Sequence, residues 1–153
     1  LNRDLFFTPK SCGVSRKKPL CSEKQTGQEK EAMAHILIID DDDQFRTMLR
    51  QLIERNGHEV EEASGGKEGI QLYRENPTDL IITDLIMPGK DGIETIQELK
   101  KEFPDIKIIA ISGGGRLGPQ DYLHLAKMLG ARRTLTKPID LPELLKAIDE
   151  LLE

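Results

Sequence analysis

The sequence predicts an α/β protein in which a five-stranded parallel sheet is flanked by five helices. Two observations carry this. From His35 onward, apolar runs and amphipathic segments alternate five times, and short connections between such units imply right-handed strand–helix–strand crossovers. Three of the five runs are also nearly continuous in Ile and Leu, which suits strands buried on both faces of a parallel sheet.

Each element has its own local signal. The first strand is predicted over 35–40, ending in a run of four aspartates, Asp40 to Asp43. A helix follows, because Phe45, Met48, Leu49, Leu52 and Ile53 fall on one face at helical spacing. The second strand, 58–62, is more polar, as edge strands tend to be, and a helix over 65–75 comes next. The third strand, 79–84, is strongly apolar and closes on Asp84. Asp91 followed by Glu94 reads as an N-cap acid with a glutamate three residues on, so a helix starts there. The fourth strand, 106–112, ends in Ser112, and a helix is predicted over 119–129. The fifth strand, 132–136, is again polar and runs into Lys137-Pro138. Asp140 and Glu143 repeat the helix-start signal ahead of the stripe Leu141, Leu144, Leu145, Ile148, Leu151 and Leu152.

Composition limits the function classes. The chain has 153 residues, 37% of them hydrophobic, and a net charge of −5, enough for one core. No apolar run approaches the roughly 18 residues of a membrane span, and Leu5-Phe6-Phe7 is broken at once by Thr8-Pro9-Lys10, unlike a secretory leader. A cytoplasmic protein is the expectation. Residues 1–32 carry seven Lys and Arg against four acids, show no sustained period, and are expected to be a disordered or weakly ordered tail. The domain proper is expected over 33–153; it is strongly acidic, which disfavours phosphate-tracking DNA binding. Cys12 and Cys21 both lie in the tail, so they cannot staple a core and are expected to be free thiols.

In open α/β sheets the functional crevice lies outside the carboxyl ends of the strands. Here those ends bring Asp40 and Asp41, Asp84, Ser112 and Lys137. Each has an ordinary reading alone: the aspartate run caps a helix, Asp84 opens a turn, Ser112 sits in a glycine loop, and Lys137 is a surface lysine. Their coincidence at four strand ends favours chemistry. Clustered carboxylates repel one another, and Mg²⁺ relieves that repulsion with hard oxygen ligands. A carboxylate beside such an ion can act as a nucleophile toward phosphorus, with an ammonium and a hydroxyl for the phosphoryl oxygens.

The residues that carry this pattern are Ile36 to Asp41, Asp79 to Gly92, the strand ending in Ser112, and Thr136-Lys137-Pro138. Over residues 34–153 the chain resembles the receiver domain of two-component response regulators, of the single-domain type. The resemblance implies a flavodoxin-like sheet of order 2-1-3-4-5. It also implies that Asp84 is the phosphoacceptor and that Asp40 and Asp41, with Asp84 and the backbone carbonyl of Ile86, hold Mg²⁺. Ser112 and Lys137 would contact the phosphoryl group, and the Lys137–Pro138 bond would be cis. The implied activity is self-phosphorylation and self-dephosphorylation, not that of a classical enzyme. The implied partners are a sensor histidine kinase or histidine phosphotransferase and a protein target, with no DNA-binding domain and no membrane partner. Asp42 and Asp43 have no family role; they are expected to add to the negative field or cap the first helix. Thr134 stands where many receivers carry an aromatic switch residue. Gly113-Gly114-Gly115 forms a permissive hinge, from which reordering of the loop and movement of the 119–129 helix on phosphorylation are expected. Ile86 and Gly114 stand where faster receivers carry polar groups, which implies a long-lived phosphoryl group.

Rival classes fit less well. A haloacid-dehalogenase-type phosphohydrolase resembles this chemistry but needs Asp-x-Asp-x-Thr/Val, whereas the fifth position is Gln44 from Asp40 and Phe45 from Asp41. A flavin-binding module needs a phosphate loop after the first strand, where four aspartates would repel it. A phosphorylation-dead scaffold is disfavoured because every site position is filled. His35, His58 and His124 sit in no recognisable phosphotransfer helix and are read as ordinary strand-edge or surface residues.

Overall fold

Five strands, β1 (His35–Ile39), β2 (Glu59–Ala63), β3 (Leu80–Asp84), β4 (Ile108–Ser112) and β5 (Arg133–Thr136), form one parallel sheet in the order β2-β1-β3-β4-β5. Five helices alternate with them: α1 (Asp43–Arg55), α2 (Gly66–Glu75), α3 (Gly92–Glu102), α4 (Pro119–Met128) and α5 (Leu141–Leu152). The structure, a computed structural model, describes residues 33–114 and 118–153. The expected tail 1–32 with its two cysteines, and Gly115 of the expected hinge, lie outside the described residues. No helix among the described residues is long and apolar enough to cross a membrane.

The polar strands β2 and β5 are indeed the sheet edges, and the apolar β1, β3 and β4 are central. Alternation along each central strand divides the core in two. Leu37, Ile39, Ile81, Ile108 and Ala110 face Ile70 and Tyr73 of α2, Ile96 and Leu99 of α3, and Leu123 and Ala126 of α4. Ile36, Ile38, Leu80, Ile82, Ile109 and Ile111 face Leu49 and Ile53 of α1 and Leu144 and Ile148 of α5. A one-residue slip of any central strand would exchange these two sets, so register is tightly specified.

Helix starts follow the sequence signals. Asp42 caps α1, its Oδ1 accepting from the Gln44 and Phe45 N–H groups at 2.9 and 3.1 Å. Asp91 caps α3 by accepting from the Glu94 N–H at 2.9 Å, and Asp140 caps α5 by accepting from Glu143. Several strand limits shift by a residue or two. Ile106 and Lys107 look like strand by composition, but the Ile106 N–H donates to the Phe103 carbonyl at 3.2 Å and closes a turn, so β4 begins at Ile108. Helix α4 stops at Met128, where Leu129 caps it and Gly130 adopts φ 107°.

Candidate functional site

The strand alternation decides which ends meet. Counting in twos from Ile36 and Ile38 reaches Asp40, and from Leu80 and Ile82 reaches Asp84; both therefore emerge on the α1/α5 side of the sheet. Counting from Leu135 reaches Lys137 on that same side. Ser112 has the opposite parity, in line with Ile108 and Ala110 of the α2/α3/α4 side. Four residues from four strand ends thus converge on one rim from two sides.

Lys137 links the two aspartates. Its Nζ donates to Asp84 Oδ2 at 2.7 Å and to Asp40 Oδ2 at 3.0 Å. Both carboxylates are buried, with Asp40 2% and Asp84 6% exposed, so the ammonium is their charge partner and not a loose surface contact. The other oxygens are held by backbone: Asp40 Oδ1 accepts from the Asp42 N–H and Asp84 Oδ1 from the Ile86 N–H, each at 2.8 Å. Asp41 is exposed, and carboxylate oxygens of Asp40, Asp41 and Asp84 lie within 4.8 Å of one another. Lys137 is joined to Pro138 by a cis peptide bond, and its backbone N–H donates to the Ser112 carbonyl at 2.9 Å. Ser112 itself is fully buried, its hydroxyl 3.4 Å from the Gly114 carbonyl.

The electrostatics are those of crowded like charges. Burial pushes the Asp40 carboxyl above its ordinary value, and the neighbouring Asp84 charge adds to this. Hydrogen bonds from the Asp42 N–H and Lys137 pull the other way. Burial draws the Lys137 amine down, but its hydrogen bonds to Asp84 and Asp40 outweigh this and hold it above the ordinary lysine value. Asp40 and Asp84 share one ammonium and Asp41 lies close by without one, leaving an excess of hard, anionic oxygens in a small volume. Such a donor set fits Mg²⁺, which takes one or two carboxylates and keeps several waters.

The surrounding chain leaves little room to move. Glycine is required at position 92: a Cβ there would overlap the Asp84 carbonyl oxygen and approach the Leu85 Cα to 2.6 Å. The first turn of α3 thus abuts the backbone that carries Asp84. Ile86, whose carbonyl the receiver resemblance implies as a metal ligand, follows Asp84 by two residues and is 37% exposed.

Three contacts escape sequence reasoning. Arg46 of α1 donates to the Asp40 backbone carbonyl and pairs with Asp43, fixing the loop that presents the aspartate run. The Phe45 ring lies under Lys137, with Nζ 4.1 Å from its centroid. Lys90, in the loop after Asp84, pairs with Glu98 of α3, which also meets Arg74 of α2. Phe45 was legible only as part of the α1 apolar stripe, since a contact with residue 137 depends on the assembled fold. The histidines are ordinary: His35 lies 3.7 Å from Glu61, His58 is buried and accepts from the Ala34 N–H, and His124 is exposed on α4.

Comparison with known proteins matches residues 36–149 to the response regulator receiver domain family. The chain is similar to the protein PilH of Pseudomonas aeruginosa, at 35% identity over 120 residues, covering 78% of this chain and 98% of that one. It is also similar to the chemotaxis protein CheY of Bacillus subtilis, at 35% identity over 122 residues, covering 78% of this chain and 99% of that one. Among solved structures, a receiver domain protein from Clostridium thermocellum superposes with a TM-score of 0.73 at 35% identity, covering 78% of this chain and 94% of that one.

Proposed function

The chain belongs to the response regulator receiver family of two-component signalling, and from that premise we propose that it is a phosphorylation switch whose acceptor is Asp84. The observation that carries this reading is the bridge of one ammonium to two buried carboxylates, 2.7 Å to Asp84 and 3.0 Å to Asp40. A cation in that position answers negative charge where charge will grow.

In the proposed reaction an Asp84 carboxylate oxygen attacks phosphorus of a phosphohistidine on a sensor kinase or histidine phosphotransferase. The new O–P bond forms as the P–N bond breaks, and the electron pair leaves with the imidazole nitrogen. Lys137 exchanges its Asp84 contact for a phosphoryl oxygen, a charge-assisted hydrogen bond of the strong kind. Ser112 donates its hydroxyl to a second phosphoryl oxygen once released from the Gly114 carbonyl. Asp40, Asp41, Asp84 and the Ile86 carbonyl are the groups that would hold Mg²⁺. When bound, the ion neutralises charge on the phosphoryl oxygens. The chain modifies its own side chain and turns over no free substrate, so it acts as a switch and not as a classical enzyme. Its output is a docking event with a protein target in the cytoplasm.

The test is incubation with Mg²⁺ and acetyl phosphate, read by intact mass. The parent gains one phosphoryl group, and Asp84→Asn, which keeps the acceptor oxygen for the Ile86 N–H, gains none. An unmodified parent, or an Asp84→Asn protein modified to the same extent, rejects the assignment. Repeated turnover of a phosphate ester without a stoichiometric adduct would point instead to a phosphohydrolase.

A further inference from the structure

We propose that Phe45 is a positioning residue for Lys137, holding the ammonium over its ring face and within reach of the group carried by Asp84. The proposal rests on the phosphoacceptor reading above and extends it to a residue of α1.

The geometry is specific. Nζ lies 4.1 Å from the ring centroid, inside the distance over which a cation is attracted to the negative face of an aromatic ring. An ammonium has three N–H donors; Asp84 and Asp40 take two of them, and the ring closes a further side with no competing oxygen. The stem is confined as well, since a Cβ at Gly113 would lie 3.0 Å from Lys137 Cδ and 3.1 Å from its Cβ. Phe45 is in turn fixed by the helix cap, its backbone N–H donating to Asp42 Oδ1 at 3.1 Å.

The ring matters most when the carboxylates are otherwise engaged. As the Asp84 oxygen bonds to phosphorus, its charge passes to the phosphoryl oxygens, and the ammonium must follow a short distance. A lysine head is strongly hydrated and sits on a flexible four-carbon stem, so a lysine released from its carboxylates drifts toward water. An aromatic face retains it without a hydrogen bond that has to be broken before the ammonium can move. The ordinary alternative is that Phe45 merely begins the α1 stripe. Its half-buried ring does pack against the α1/α5 core, but packing alone does not require the face to be turned to a cation.

The test compares the full-length parent with Phe45→Leu, which keeps an apolar side chain, and Phe45→Tyr, which keeps the ring. In metal-free protein, NMR should find the Lys137 ε-methylene protons shifted upfield by the ring in the parent and in Phe45→Tyr. In Phe45→Leu they should return to the free-lysine position, with faster ε-carbon motion. Phosphorylation by acetyl phosphate should slow about fivefold in Phe45→Leu, as expected for loss of a partly exposed cation–π contact, and recover in Phe45→Tyr. An unshifted methylene in the parent, or a Phe45→Leu protein with parental methylene order and parental rate, overturns the proposal. A parent that shows the shifted, ordered methylene but accepts no phosphoryl group would sink the phosphoacceptor reading instead, and leave the Phe45–Lys137 contact standing.

Discussion

Lys137 is a single residue on which two buried acids depend. Removing one partner of such a group strands the others, and stranded buried charge is a principal source of large destabilisation. Lys137→Met should therefore lower metal-free stability at pH 7 by about 2 kcal/mol, below the usual cost of breaking a fully buried pair because the lysine side chain is 25% exposed. Adding Asp84→Asn removes the repulsion left behind, so the double variant should be more stable than the sum of the two single changes, by about 1 kcal/mol in a denaturant-unfolding cycle. Strict additivity would show that the ammonium is not the carboxylates' partner. The lysine value is raised in the folded state from its ordinary 10.5. Its stabilising contribution is therefore whole below pH 10.5 and is lost only as pH climbs through the higher folded value. Neutral-pH experiments on the cycle read the full effect.

At the scale of elements, the first turn of α3 makes the sharpest test. Asp91→Ala removes one N-cap bond and should cost about 1 kcal/mol. Gly92→Ala introduces a better helix former, yet its Cβ would overlap the Asp84 carbonyl oxygen. It should therefore destabilise more than Asp91→Ala, by about 2 kcal/mol or more, as measured by urea midpoints, and should displace the Asp84 backbone. A stabilised Gly92→Ala protein would show that α3 does not abut β3 as described. These neighbours also illustrate what the sequence reveals. Asp91 and Asp140 announce their helices, because capping is a local pattern. Asp40, Asp84, Ser112 and Lys137 are legible because each closes or directly follows a strand, and parallel strands all end at one rim. The strand limits at Ile106 and Lys107 are not, since apolar composition does not report a turn hydrogen bond. Nor are Arg46 and Phe45, whose roles exist only once α1 lies beside β1 and the loop after β5. Spacing puts Phe45 on the α1 apolar stripe without revealing its contact with Lys137, and nothing in the spacing of Arg46 marks it out.

On the scale of the whole molecule, the site is a product of sheet assembly. Asp40 and Asp41 follow β1, Asp84 ends β3, and their oxygens come within 4.8 Å only when those strands pair. The unfolded chain has no such cluster, so a divalent cation held by these carboxylates would bind the native state and should stabilise it by mass action. At ten times its dissociation constant that stabilisation is about 1.4 kcal/mol, or a rise in Tm of about 5 °C for a domain of this size. Two features make the prediction discriminating. Lys137 already neutralises part of the charge on Asp40 and Asp84, so the ion must compete with an internal cation, and affinity should be modest and sensitive to ionic strength. Asp41, by contrast, is exposed and no protein cation is found beside it among the described residues. Asp41→Asn should accordingly leave the metal-free Tm nearly unchanged, since exposed substitutions usually stay within about 0.5 kcal/mol. The same variant should lose most of the Mg²⁺-induced rise. Calorimetric scans of the parent and Asp41→Asn, with chelator and with Mg²⁺, separate the two effects. A parent whose Tm ignores Mg²⁺, or a variant that gains as much as the parent, would mean that the three carboxylates do not act together on a metal.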